Sequence, residues 1–161
     1  MKVLKVAVIL SALYLAGSTA LMAQTIAKAV LTGGEETPGV ATNASGTAIF
    51  WVYSDHLEYV LTAKGFGTNV LASHIHLGPK GVSGPICVPI FNAATQGTFT
   101  GRLTGVLTEA DLVPLADRGV SNFRDVIDAI LGGRAYVNIH TTLSPSGEIR
   151  GQLTVADDSA R

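Results

Sequence analysis

Apolar and polar residues alternate with a period of two along much of the chain, the pattern of strands with one face in a core and the other turned away. Over 134–141, Ala135, Val137 and Ile139 share one face, and Arg134, Tyr136, Asn138 and His140 share the other. Over 148–155, Ile149, Leu153 and Val155 oppose Glu148, Arg150, Gln152 and Thr154; over 98–103, Phe99 and Leu103 oppose Thr98, Thr100 and Arg102. Stretches of this kind, punctuated by Gly, Pro and Asn, predict strands at Ile26–Leu31, Thr47–Tyr53, Leu57–Lys64, Val70–Leu77, Pro85–Phe91, Thr98–Leu103, Arg134–Thr141 and Glu148–Val155. So many short strands in one domain predict an all-β antiparallel sandwich or barrel.

The period changes between the sixth and seventh strands. Thr108-Glu109-Ala110-Asp111 reads as a capped helix start, cut short by Pro114. Ser121 is the expected cap of a second helix, in which Phe123, Val126, Ile127, Ile130 and Leu131 fall at helical spacing and Gly132-Gly133 ends the run. The expectation is a short helical hairpin inserted in the β-domain and covering one end of it.

The first 23 residues have a different character. Lys2 and Lys5 precede an apolar run from Val6 to Ala16, and small residues lead to Ala20 and Ala23. That is the layout of an export signal, cleaved after Ala23 or Ala20, and the run falls short of the roughly 20 residues that span a bilayer. The expected organisation is a signal peptide at 1–23, one domain at 24–156 and a polar tail at 157–161, with secreted or periplasmic placement and no membrane insertion after cleavage. The 11 basic and 12 acidic residues are dispersed, which argues against nucleic acid as a partner. The single cysteine, Cys87, excludes an internal disulfide and reads as a small buried hydrophobe.

Three of the four histidines carry the candidate chemistry. His74 and His76 are two apart on one predicted strand, so they share a face, while Leu71, Ile75 and Leu77 take the core side. His140 lies on the polar face of another strand, beside Asn138. Neutral imidazole is the commonest nitrogen ligand, and three converging rings with an open fourth position suit copper or zinc. Glu148 and Arg150 are the expected neighbours, Glu148 as an acceptor that orients a ring, and binding is expected to weaken as the pH falls towards about 6. The other reading is structural: the same rings hydrogen-bond to Asn138, Glu148, Arg150 and the backbone. His56, in a turn, and the Glu35-Glu36 pair, in a Gly-rich loop, read as solvated. No nucleophile motif and no phosphate loop is present, so no catalytic residue is assigned.

The segments Ala29-Val30-Leu31-Thr32-Gly33-Gly34-Glu35-Glu36-Thr37-Pro38, Ala44-Ser45-Gly46, His74-Ile75-His76-Leu77-Gly78, Gly84-Pro85 and Thr108-Glu109-Ala110-Asp111-Leu112 form a recognisable series. Gly133-Arg134-Ala135-Tyr136-Val137-Asn138-Ile139-His140-Thr141 and Pro145-Ser146-Gly147-Glu148-Ile149-Arg150-Gly151-Gln152-Leu153 complete it. From about Ile26 to Leu153 the chain resembles the CHRD domain family, with one departure at Glu36-Thr37-Pro38-Gly39, where an acidic-valine-proline-proline pattern is usual. The resemblance implies an exported, non-catalytic binding or structural module. The family's namesake is a secreted protein that sequesters growth factors of the bone-morphogenetic type, but fold alone does not carry that ligand over. A weaker resemblance, through Ala29-Val30, His74-Ile75-His76, His140 and Gly147-Glu148-Ile149-Arg150, is to copper-zinc superoxide dismutase. It implies a Greek-key β-sandwich and, as the alternative function, a copper- or zinc-binding protein, with redox activity as one form of it. The bridging histidine, zinc loop and cysteine pair of that family are missing, which argues against dismutase activity.

Overall fold

A computed structural model describes residues 25–156; the expected signal segment and the tail at 157–161 lie outside the described residues. Nine strands form one continuous antiparallel sheet: β1 (Thr25–Thr32), β2 (Ser45–Val52), β3 (Leu57–Lys64), β4 (Val70–Leu77), β5 (Ile86–Asn92), β6 (Arg102–Leu107), β7 (Ala135–Thr141), β8 (Ile149–Gln152) and β9 (Thr154–Val155). The order across the sheet is β5-β4-β7-β8-β1-β2-β3-β6, with β9 also on β1. The chain crosses over between β3 and β4, β5 and β6, and β6 and β7. The sheet therefore folds on itself until β5 and β6 approach one another, and both line a cavity of about 390 Å³ with Tyr59. One apolar core joins the two halves, from Ala27, Leu31, Phe50 and Leu61 on one side to Ile75, Val137, Ile139 and Ile149 on the other. The expected all-β antiparallel class holds.

The differences from expectation are local and have backbone causes. The sixth strand starts at Arg102, because Gly97 and Gly101 both adopt positive φ and turn the chain beforehand. Phe99 instead packs edge-on against Phe66 and Phe91 at the end of the core. The Thr108 capping box is present but closes a single 3-10 turn, Glu109–Asp111. Asn122 caps the only full helix of the insertion, α2 (Phe123–Leu131), through Asp125, whereas Ser121 donates its backbone N–H to the Asp125 carboxylate. A four-residue helix, α1 (Ala93–Gln96), was not expected. The last strand breaks at Leu153, whose N–H turns to the Ala135 carbonyl, so the chain then pairs with β1 and leaves Val155 42% exposed.

Cys87 is wholly buried on β5, directing its thiol at the Ile75 carbonyl 3.3 Å away. Burial pushes its pKa up to about 12. Among the described residues no helix is long and apolar enough to cross a membrane.

Candidate metal centre

β4 and β7 are neighbours, with His74 opposite Asn138 and His140 opposite Ala72. His74 and His140 are thus diagonal partners on the sheet face that points away from the core, and His76 follows two residues along. One side-chain nitrogen from each ring lies within 4.8 Å of those of the other two. The structure therefore brings together all three histidines singled out in the sequence. His56 stands apart, stacked on Tyr53 and bonded to Asp55.

This outer face is largely covered, which alternation alone did not anticipate, although His74 and His140 stay partly exposed. The loops over 33–43, 78–85 and 142–148 fold across it, leaving Tyr136 and Asn138 only 1% exposed and His76 7%. Two of the loops also set the rings. His76 Nδ1 lies 2.9 Å from the Gly84 carbonyl, and His140 Nδ1 lies 3.0 Å from the Pro145 carbonyl. A carbonyl only accepts, so each Nδ1 must carry the hydrogen and each Nε2 a lone pair. His140 Nε2 then accepts from His74 Nδ1 at 3.0 Å, while His76 Nε2 is buried and makes no hydrogen bond. Asn138 Oδ1, beside it, is equally without a partner.

All three rings are held neutral. Burial lowers the His74 pKa to about 4, helped by the charges that His140 and His76 would carry. Burial also lowers His76 and His140 against the opposing effect of their carbonyl partners, and the Arg150 guanidinium adds to the lowering in both.

The three neighbours have distinct roles. Asn138, expected beside His140, pairs opposite His74 and also reaches the His76 ring. Glu148 does not orient a ring: its oxygens accept from Thr42 Oγ1 at 2.6 Å and Thr141 Oγ1 at 2.5 Å, tying the 33–43 loop to β7. Arg150 lies 4.0 Å above the Tyr136 ring, which stacks on His76. Its guanidinium binds Glu36 at 3.1 Å and reaches Thr37, the Val82 carbonyl and Ser83. Glu36 is thus a buried ion-pair partner and not a solvated loop residue, whereas Glu35 remains near the surface with Lys80. Burial raises the Glu36 pKa and Arg150 opposes the rise. The close packing has a visible backbone signature: Gly84 admits no side chain, since a Cβ there would lie 1.7 Å from the Leu77 carbonyl oxygen. The sequence reading missed Glu36, Tyr136 and the Gly84 and Pro145 carbonyls. Their one signal was position, within the Gly- and Pro-containing segments on either side of the histidines.

An all-β domain with a loop-covered histidine cluster is the class these features define. Residues 27–153 match the family model described as the CHRD domain, and the chain belongs to that family. It is similar to Chordin of Xenopus laevis, 27% identical over an alignment of 135 positions that covers 78% of this chain and 12% of that protein. The chain thus spans a small fraction of the length of this relative. No solved structure matches.

Proposed function

We propose that this chain is an exported, non-catalytic binding module of the CHRD family whose binding centre, His74, His76 and His140, takes copper or zinc. The observation that carries the reading is the pair of backbone carbonyls at Gly84 and Pro145. They fix the tautomers of two rings so that both Nε2 lone pairs are free of hydrogen, the arrangement by which an outer partner prepares a histidine to ligate. His74 supplies Nδ1 once its hydrogen moves to Nε2. Nitrogens bound to one such ion sit roughly 3.3 Å apart, and the His74–His140 pair at 3.0 Å is already near that spacing. Export rests on the layout of residues 1–23, and the lack of an assigned nucleophile supports binding over turnover.

The test is elemental analysis of protein exported into metal-replete medium, followed by titration of the metal-free protein at neutral pH. The expected result is one equivalent of copper or zinc, lost in His76→Ala and His140→Ala. Absence of metal as isolated and no uptake on titration would leave the histidines as structural hydrogen-bonders.

A further inference from the structure

The donor set of this centre carries no negative charge, and that bears on which ion it holds, given that it is a metal centre as proposed above. The group of potential ligands contains three imidazoles and no carboxylate or thiolate. Neither of the two buried carboxylates nearby is among the potential ligands: Glu148 is held by Thr42 and Thr141, and Glu36 by Arg150 through Oε2, with its Oε1 buried near Asn138. The buried charges nearest the rings are those of the Arg150–Glu36 ion pair, which sum to zero and leave no net negative charge for a cation, and the guanidinium is the member that sits over Tyr136 against His76. His76 and Asn138 are almost entirely removed from water and His74 and His140 partly so, and solvent screening is weakest on the His76 side of the centre.

A dication held by three neutral rings brings two uncompensated charges into such a place, and a monocation brings one; in a medium of low dielectric that difference dominates. Imidazole serves copper and zinc alike, so ligand type does not decide between them. With three protein nitrogens zinc completes its tetrahedron with a water, which must then be accommodated beside the rings. We propose that the His74, His76 and His140 centre selects cuprous copper over both zinc and cupric copper.

The experiment uses the metal-free wild-type protein, loaded anaerobically with cuprous ion and challenged with zinc, and then measures the cupric/cuprous midpoint potential of the bound copper. The expected result is retention of copper against a roughly 100-fold excess of zinc and a potential above that of aqueous copper. Displacement by zinc, or a potential below the aqueous couple, overturns the selectivity while leaving the centre itself in place. No uptake of cuprous, cupric or zinc ion overturns the centre and the selectivity together. Asn138→Asp, which places an anionic oxygen beside His76, is expected to lower the potential and improve zinc competition by about tenfold or more. An unchanged potential in folded Asn138→Asp protein removes the charge argument, and the wild-type measurements decide the matter if that variant does not fold.

Discussion

The two halves of the sheet are built by different rules. Strands β1, β2 and β3 pair residue for residue along their whole lengths, from Thr25 with Val52 to Ser45 with Lys64, with no shift of register. Their buried positions are apolar: Ala27, Leu31, Ala48, Phe50, Leu57 and Leu61. Strand β4 slips against both of its neighbours, between Ser73 and His74 and between Ile75 and His76 towards β5, and between Val70 and Ala72 towards β7. In that half Ser73, His76, Asn138, Thr141, Glu148 and Arg150 are all buried. One half maximises apolar burial, and the other spends its interior on polar groups that loops hold in place. The contrast separates the half that supplies the apolar core from the half that carries the histidine cluster.

The largest effect is expected at Arg150. Removing it in Arg150→Ala leaves Glu36 buried without its partner, a loss of about 3–5 kcal/mol in urea-unfolding stability. A loss below about 1 kcal/mol would show that the loop relaxes and lets water reach the carboxylate. Leu61→Ala, in the regular half, should cost about 2–5 kcal/mol by opening a cavity in the core. Its metal affinity, measured on the folded fraction by the same titration, should stay at the wild-type value; a marked fall would mean that the two halves are coupled and would break the comparison.

Acid provides a subtler probe. His74 titrates near 4 in the folded metal-free protein and near 6.5 when unfolded, so between those values the unfolded chain binds the additional proton. The stability this group contributes is complete above about pH 6.5, declines as the pH falls, and is gone by about pH 4. Thermal melts of the metal-free protein over this range should show the decline, with a shallower slope in His74→Asn; identical slopes would assign the acid sensitivity to other groups. The smallest effect is expected at the exposed Lys80–Glu35 pair, where Lys80→Ala should change stability by less than about 1 kcal/mol in the same melts.

Alternation read the regular half well, because strict two-residue periodicity is what paired, unslipped strands produce. It also found Ala135, Val137 and Ile139 in the core and put the three histidines on the opposite face. It failed at Leu71, expected inside but 41% exposed, since the register slip between Val70 and Ala72 reverses the parity that the count assumes. It did not reveal that Tyr136, Asn138 and Arg150, on the polar face turned away from the core, are buried as well. A period of two shows which residues share a face but not whether a loop from elsewhere covers it. Glu36 was out of reach for the same reason: it meets Arg150 across 114 positions of sequence, in a loop with no periodicity.

The buried thiol at Cys87 has a practical consequence for work on this domain. It lies behind the strand that carries His74 and His76, sealed in the core and held protonated far above neutral pH. A thiol reagent can meet it only when that wall of the sheet opens, so the speed of labelling counts opening events of the native molecule. Because the chain has a single cysteine, the count is free of interference from any other site. Labelling with and without a bound ion would then report how firmly a ligand on the outer face latches the sheet behind it.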